Sequence, residues 1–194
     1  MTAKLSIAVV EGDPERARMI VDGLRDAGDY EIAVIGDVSS LARRLAALAP
    51  DVVLIDLESP DRDVLDALTL ASSPVDRPVA MFVDRSDDSV MRAAIEAGVS
   101  AYVVGGLSRE RVEPVMQAAI ARFHVVSRLR AELAATKAAL EERKLVDRAK
   151  GMLMKAKGIS EEEAYGALRR TAMAQGKKVA DVAQALITAA DLLR

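Results

Sequence analysis

The stretch that decides the C-terminal fold is Arg148-Ala149-Lys150-Gly151-Met152-Leu153-Met154, and it predicts a helix from residue 142 to Gly158. With about 100° between successive residues, the apolar positions fall in one arc of this helix. These positions are Leu145, Val146, Ala149, Met152, Leu153 and Ala156. Two basic stripes flank the arc, one of Lys144, Arg148 and Lys155 and one of Arg143, Lys150 and Lys157. A helix with cations on both sides of its buried face suits a phosphate backbone.

Two further helices are predicted after it. Gly158 ends the first helix and Gly176 the second, because glycine accepts the left-handed conformation at a helix end. Ser160 and Glu163 form a capping box at the start of the second helix. Apolar residues then recur at helical spacing through a third helix, at Val179, Val182, Ala183, Leu186, Ile187, Ala190 and Leu193. The pattern predicts an all-α three-helix unit over residues 142–194 with a basic rim.

These blocks of sequence resemble the ANTAR domain. The resemblance is carried by Arg-Ala-Lys-Gly-x-Leu-Met from Arg148, Gly-Ile-Ser-Glu-Glu-Glu-Ala-Tyr from Gly158, and Lys-Lys-Val-x-x-Val-Ala from Lys177. It implies an RNA-binding module that prevents transcription termination and binds paired stem-loops of nascent leader RNA as a dimer. The residues that we predict to bind RNA are Arg143, Lys144, Arg148, Lys150, Arg169, Arg170, Lys177 and Lys178.

The charge distribution supports this interpretation. Residues 141–194 hold 11 Lys and Arg against 8 Asp and Glu, whereas the other 140 residues hold 16 against 22. A net charge of +3 taken alone also fits an ordinary solvated helical surface, so the clustering of the cations carries more weight than their number. Tyr165 is the only aromatic residue of the basic unit, which argues against recognition by several stacked aromatic rings.

The first 122 residues alternate five predicted strands with five helices. The strands are residues 5–10, 31–35, 51–55, 78–83 and 101–104, and each is an almost continuous apolar run. Such runs predict a parallel sheet of the α/β, flavodoxin-like class with helices on both faces. Functional side chains are then expected where the strands end at their carboxyl edge.

This segment resembles a response-regulator receiver domain. The matching blocks are Val-Val-Glu-Gly-Asp-Pro from Val9, Asp-Val-Val-Leu-Ile-Asp-Leu-Glu-Ser-Pro from Asp51, and Ala-Gly-Val-Ser-Ala-Tyr-Val-Val from Ala97. The resemblance makes Asp56 the candidate phosphate acceptor and Glu11 the first of the usual acidic pair. It also shows departures, because Gly12, Val83 and Gly105 stand where the family has a second acid, a hydroxyl residue and a lysine.

These departures remove groups that aspartyl phosphorylation needs, namely a Mg²⁺ ligand and the cations that offset phosphoryl charge. We therefore predict no bound cofactor, with Mg²⁺ retained as an alternative because Asp13 or Asp84 could replace the missing ligand. Glu11, Asp13 and Asp84 form the predicted acidic pocket around Asp56. Without the lysine, crowding of Glu11, Asp56 and Asp84 is expected to raise the pKa of one carboxyl group. The pattern favours a degenerate receiver that is independent of a signal or gated by a protein over one driven by phosphorylation. The plainest alternative is that Asp56 merely flanks a helix.

A helical segment over residues 123–141 joins the two parts and contains no Gly or Pro. Val126, Leu129, Leu133, Thr136 and Leu140 alternate spacings of three and four, as in the seam of a coiled coil. We favour a dimeric coiled coil, and packing of this helix on its own receiver is the alternative. His124 is the only histidine and the chain has no cysteine, so no His or Cys metal site is predicted.

The combination of a degenerate receiver (residues 1–122), a coiled-coil helix (123–141) and an ANTAR domain (142–194) resembles nitrate-responsive antiterminators. That resemblance implies a nitrate-sensing protein partner that sequesters the antiterminator. We predict a non-enzymatic RNA-binding antiterminator, homodimeric at least when bound to RNA. It is expected to be cytoplasmic, because the chain shows no signal peptide or membrane-length apolar run. A phosphorylation-driven regulator of another operon, a DNA-binding regulator and a protein-interaction scaffold are the alternatives.

Overall fold

The computed structural model describes residues 4–37, 40–60 and 62–192, and at residue 63 only the backbone. The chain divides into two compact units, Met1–Arg128 and Leu129–Arg194. Leu193, the last apolar position predicted for the third C-terminal helix, lies outside the described residues.

The first unit is built from five strands that alternate with helices. Its elements are β1 Ser6–Val10, α1 Pro14–Ala27, β2 Glu31–Ile35, α2 Leu41–Leu48, β3 Val52–Leu57, α3 Arg62–Ser72, β4 Val79–Val83, α4 Asp88–Glu96 and β5 Ala101–Val104. The strands form one sheet in the order β2-β1-β3-β4-β5, and every neighbouring pair is parallel. This confirms the five-stranded receiver-like sheet that the apolar runs predict. Because all the strands run the same way, their carboxyl ends meet at one edge.

Alternation of side chains along each strand places a core on both faces of the sheet. On one face, Ala8, Val10 and Ile55 pack among apolar side chains of α2, α3 and α4. On the other face, Ile7, Val9 and Phe82 pack against α1 and the start of the next helix, α5. These side chains are almost completely buried. Two covered faces explain why the strand sequences show no polar alternation.

The helix α5 spans Arg109–Lys157 and is 49 residues long. The sequence predicts three successive helical segments over this range, and the structure joins them without a break. Pro114 lies inside the helix, where it lacks the N–H that would bond to the preceding turn. Every side chain from Arg128 to Lys144 is exposed. The middle of α5 therefore contributes to neither core.

The second unit consists of the end of α5 with two shorter helices, α6 Glu161–Gln175 and α7 Val179–Leu192. Its small core contains Ala149, Leu168, Ala183 and Ile187, with apolar side chains of all three helices around them. The predicted capping box is present, because Ser160 Oγ accepts from Glu163 N and Glu163 Oε2 accepts from Ser160 N. Gly158 and Gly176 have φ of 66° and 61°, the left-handed values expected at helix ends. Within the part of the chain that the structure describes, no helix combines the length and apolarity of a membrane span.

Candidate functional site

A groove of about 880 Å³ in the second unit brings together five of the eight predicted RNA-binding residues, Arg143, Lys150, Arg169, Lys177 and Lys178. It is lined by the end of α5, by α6 and by the start of α7. The ring of Tyr165 and the side chain of Met173 form part of its wall. Both residues are substantially exposed, at 46% and 73%. The acids Glu142 and Asp147 also line it. The groove is therefore mixed in charge, with an apolar strip along α6.

Lys150 differs from the other cations because it is held by two acids. Its Nζ lies 2.6 Å from Asp147 Oδ1 and 2.6 Å from Glu161 Oε1. Hydrogen bonds to Asp147 and then Glu161 raise the pKa of Lys150, so the ammonium stays charged. Only 15% of its side chain is exposed. Lys150 thus joins α5 to the first turn of α6, and its charge is already balanced within the unit.

Four more predicted cations have an acidic neighbour. Arg148 Nη2 lies 3.0 Å from Asp191 Oδ2 on α7, and Lys178 Nζ lies 3.2 Å from Glu142 Oε1 on α5. Two pairs lie within α5, Lys144 with Glu141 at 2.8 Å and Arg143 with Asp147 at 3.9 Å. All four cations are more than half exposed, so water and salt weaken these pairs and a phosphate can replace the acid.

Arg169, Arg170 and Lys177 have no acidic partner within 4 Å among residues 4–37, 40–60 and 62–192. All three are exposed on α6 or just after it. Arg169 and Lys177 line the groove, whereas Arg170, Lys144 and Arg148 lie outside it. In the described part of this unit, three cations without an acidic partner therefore lie along α6 and the turn that follows it, and Lys155 and Lys157 add two more in the last turn of α5.

Gly151 has no side chain and lies in the basic stripe of α5. The sequence pattern alone gives it no role in binding. It lies three residues after Arg148 and four before Lys155, and it is exposed. A Cβ added there would meet no atom within 4 Å, so packing does not require glycine. Glycine inside a helix destabilises it by about 1 kcal/mol relative to alanine. An exposed glycine between two cations lets a ligand approach the helix backbone closely.

In the first unit, three acids gather at the carboxyl edge of the sheet. Asp56 is the fifth residue of β3 and is 3% exposed, Glu11 directly follows β1, and Asp84 directly follows β4. Asp13, which the sequence also places in this pocket, caps α1 instead: its Oδ1 accepts from the backbone N–H groups of Glu15 and Arg16 at 2.8 and 2.9 Å. The cap explains its position, because the first turn of a helix leaves these N–H groups unpaired.

Arg16, which the sequence reasoning missed, lies in the middle of these acids. Its Nη2 lies 2.8 Å from Asp56 Oδ2, its Nη1 lies 2.9 Å from Asp84 Oδ2, and its Nε lies 3.2 Å from Glu11 Oε2. Nε also donates to Asp56 Oδ2 at 3.0 Å. The contact between Arg16 Nε and Glu11 Oε2 is an ion pair by distance but lacks hydrogen-bond geometry. Among the described residues, Asp56 Oδ1 has no hydrogen-bond partner either.

Burial and neighbouring charge act in opposite directions on Asp56. Burial is the larger effect and raises the pKa of Asp56 to about 6, the hydrogen bond and charge of Arg16 lower it, and Glu11 raises it again. The pKa of Arg16 is raised, mainly by its hydrogen bond to Asp84. The sequence predicts a raised carboxyl pKa from crowding of acids, and the structure gives burial as the main cause.

The residues of this pocket do not fit a Mg²⁺ ion as they are arranged. Mg²⁺ needs oxygen ligands at about 2.0–2.1 Å in octahedral geometry. Here a guanidinium group already lies between the carboxylates, at 2.8–3.2 Å from an oxygen of Asp56, Asp84 and Glu11. No cluster of acids with the spacing of a metal site is present in the described part of the chain. Gly105, at the position of the family's lysine, contributes no side chain.

Comparison with known proteins shows what each of the two units is similar to. Residues 134–187 match the ANTAR domain family. The transcriptional regulatory protein PdtaR of Mycobacterium tuberculosis is 31% identical over 166 residues, which cover 84% of this chain and 81% of PdtaR. The nitrate regulatory protein of Klebsiella oxytoca is 44% identical over 71 residues, 37% of this chain and 18% of that protein.

Among solved structures, a CheY-like receiver domain protein from Methanospirillum hungatei superposes with a TM-score of 0.54 at 15% identity, covering 63% of this chain and 98% of that one. At that identity the likeness concerns the fold alone. The relative PdtaR spans both units and the ANTAR match lies in the second. The chain therefore belongs to the ANTAR-domain response regulators, transcription regulators in which a receiver domain is combined with an RNA-binding ANTAR domain.

Proposed function

We propose that this protein is an antiterminator that binds stem-loops of nascent leader RNA through the groove of its second unit. The observation that carries the proposal is the concentration of uncompensated cations, Arg169, Arg170 and Lys177, beside an open groove with a tyrosine on its wall. Arginine recognises phosphate by paired hydrogen bonds, and an RNA backbone offers phosphates in series.

The groove also suits the unpaired bases of an RNA loop. Sequence-specific RNA recognition uses bases that leave the stack and pack on aromatic rings or guanidinium planes. Tyr165 is half exposed on α6, and Arg169 is four residues further along the same helix. Residues at i and i+4 lie on one side of a helix, so the ring and the guanidinium group together can hold one splayed base.

The paired cations act differently from the unpaired ones. Arg148, Lys178 and Lys144 are exposed and exchange an acid for a phosphate on binding, so each contributes less than a free cation. Lys150 instead holds α6 against α5 through its ion pair with Glu161. Its role in RNA binding is to position α6. The groove thus combines direct contacts from α6 with a supporting ion pair from α5.

We infer that the exposed seam of α5 joins two chains. Leu129, Leu133 and Leu140 are 58%, 56% and 51% exposed, and they lie in a helical stretch with no buried side chain. Val126, the first seam residue, is half-buried. A helix without packing partners is marginal in water, so a second copy over the same seam would stabilise it. The exposure of these leucines supports pairing over packing on the same chain.

The finer assignment to nitrate or nitrite assimilation genes rests on the resemblance and on the match to the nitrate regulatory protein of Klebsiella oxytoca. The same proposal includes a regulatory protein partner that responds to a ligand. This partner gates the antiterminator by covering its basic helices or its seam. The alternative is a phosphorylation-driven regulator of another operon. The name of PdtaR, which this chain matches over 84% of its length, specifies no nitrate function, so this match supports another operon and does not bear on phosphorylation.

Binding to leader RNA tests the proposal. The probe is a pair of stem-loops transcribed from the leader of the operon next to this gene, with an unstructured RNA and a DNA duplex of the same sequence as competitors. Replacing Arg169, Arg170 and Lys177 by alanine should weaken binding by at least tenfold and make the dependence of log affinity on log salt less steep by about 0.7–0.9 per lost phosphate contact.

The matched control replaces Arg43 and Arg44, two exposed arginines of α2 in the other unit, by alanine. It should bind as the wild type does. Equal affinity of the triple variant and the wild type would remove this surface from the site. Preference for the DNA duplex would support a DNA-binding regulator, and no binding to either nucleic acid would support a protein-interaction scaffold.

A further inference from the structure

The receiver pocket differs from the family pattern in the origin of its positive charge. The family pattern places a lysine at the end of the fifth strand, and here Gly105 stands at that position with φ of 93° and no side chain. The cation comes instead from Arg16 in the first turn of α1, on the other side of the pocket. Its guanidinium group contacts all three acids at once.

The surroundings of Arg16 are built to hold it there. The cap formed by Asp13 fixes the backbone N–H of Arg16, so the direction in which its side chain leaves the helix is set. Glu11 is fixed in turn, because its Oε1 accepts from Asp13 N at 2.7 Å. On the opposite side, Gly106 leaves room for Asp84, since a Cβ at Gly106 would lie 2.6 Å from Asp84 Oδ1.

The position of Arg16 is unfavourable unless the acids compensate it. A cation in the first turn of a helix is repelled by the positive end of the helix dipole. The side chain of Arg16 is also only 24% exposed, and the side chains of Asp56 and Glu11 are 1% and 8% exposed. Charges buried to this extent are retained only when they are paired, and removing one partner of such a pair is strongly destabilising.

We propose that Arg16 is a built-in cation that occupies the place of a metal ion in the receiver pocket and holds the carboxyl edge of the sheet together without a ligand. This inference concerns the first unit alone and does not depend on RNA binding. It implies that the wild-type protein needs no divalent cation for its stability and has no vacant position for one among these acids. It also implies that removing the guanidinium creates such a position.

The wild-type full-length protein gives the first test, with Mn²⁺ as a spectroscopic substitute for Mg²⁺. Electron paramagnetic resonance should show that the protein leaves the signal of free Mn²⁺ unchanged, and calorimetry should show the same unfolding temperature with and without millimolar Mg²⁺. Stoichiometric binding of Mn²⁺ by the wild type, competed by Mg²⁺ and lost in Asp56→Asn, would overturn the proposal.

The variant Arg16→Met gives the second test, since it keeps much of the side chain's length and removes its charge. Its unfolding temperature should fall by roughly 10 °C and should recover when Mg²⁺ is added, because the three acids are no longer held apart by the guanidinium group and can close around the ion. The matched control is Arg18→Met, an exposed arginine of the same helix, which should show neither change. Hydrogen exchange in peptides from β1 and β3 should locate the loss in the first unit.

A third variant covers the case in which Arg16→Met fails to fold. Arg16→Lys keeps the charge and should fold with little response to Mg²⁺. An unfolded Arg16→Lys would show that the shape of the side chain and not its charge is required, which contradicts the proposal. The same conclusion follows if Arg16→Met is as stable as the wild type, or if it is destabilised and unaffected by Mg²⁺.

Discussion

Lys150 Nζ lies 2.6 Å from Glu161 Oε1, so one ion pair connects the last part of α5 to the first turn of α6. A residue predicted from its position in a basic stripe to contact RNA is thus also a tie between two helices. Its contribution to binding can be separated from its contribution to the fold by comparing it with a cation that has no acidic partner.

The first prediction makes this comparison. Lys150→Ala should lower both the unfolding temperature and the RNA affinity, because it releases Asp147 and Glu161 as well as removing a cation. Arg169→Ala should lower the affinity alone, because exposed cations without partners contribute little to stability. Thermal unfolding and fluorescence anisotropy on the same samples check this. Equal unfolding temperatures for Lys150→Ala and the wild type would show that the ion pair has no structural role.

The second prediction concerns Gly151. Gly151→Ala should stabilise the protein by about 0.5–1 kcal/mol, since it removes backbone freedom from the unfolded chain and its methyl group meets open space. It should nevertheless weaken RNA binding if the ligand contacts the helix between Arg148 and Lys155. Urea unfolding and RNA titration measure the two effects. The gain in stability serves as the control for folding, and unchanged affinity would place the RNA elsewhere on the unit.

The third prediction concerns the seam of α5. Leu133→Glu with Leu140→Glu should convert a dimer to a monomer, because paired glutamates cannot be buried in an apolar interface. Ala131→Glu with Ala138→Glu introduces the same charge on exposed positions away from the seam and should leave the mass unchanged. Light scattering with and without RNA distinguishes these outcomes. A wild type that is monomeric under both conditions would contradict the coiled coil.

The fourth prediction concerns pH. The pKa of folded Asp56 is raised to about 6 from 3.8, so between these values the folded state binds more protons than the unfolded state. Its contribution to stability is therefore fully present below about pH 4 and is lost as the pH rises through 6. Asp56→Asn should flatten the fall in stability from about pH 4 to pH 6. Urea unfolding at three pH values tests this, and parallel curves for the two proteins would refute it.

The pocket groups that face Asp56 are Glu11 and Arg16, with Asp84 on the far side of the guanidinium. Arg16 remains charged throughout this range, so the difference between wild type and Asp56→Asn isolates the carboxyl group of Asp56. The other acids of the chain affect both proteins alike.

The fifth prediction concerns control by phosphorylation. Asp56→Asn should leave antitermination and its response to inducer intact, because the phosphoryl group would lack the lysine and hydroxyl that convert it into a signal and would be placed against Glu11. Acetyl phosphate with Mg²⁺ should add no mass to the purified protein. A stoichiometric adduct that disappears in Asp56→Asn and changes RNA affinity would identify a phosphorylation-driven regulator.

Much of the fold follows from local pattern. Apolar runs of strand length and the capping box at Ser160 each specify an element from neighbouring residues, and each is present. The sequence predicts the continuous helix α5 as three segments, because its apolar pattern changes from one face to another along its length. Helical periodicity locates a buried face and does not show where a helix passes from one core to another.

The candidate site was harder to predict because its charges pair over long distances in sequence. Arg148 with Asp191 and Lys178 with Glu142 are 43 and 36 residues apart, so no local pattern reveals them. Arg16 is 40 residues from Asp56 and 68 from Asp84. A local signal did exist, since an arginine in the first turn of a helix is electrostatically unfavourable and calls for a nearby acid.

The two ends of α6 carry opposite charge, so the groove beside it has an acidic end and a basic end. Glu161, Glu162 and Glu163 lie at one end of this helix, whereas Arg169, Arg170 and Lys177 lie beyond its middle. A polyanion is repelled from the first end and attracted to the second, because the electrostatic potential becomes more positive along the axis of α6 from its first turn toward its end. In the proposed RNA-binding site, the RNA backbone is consequently drawn to the C-terminal half of α6 and kept away from its first turn.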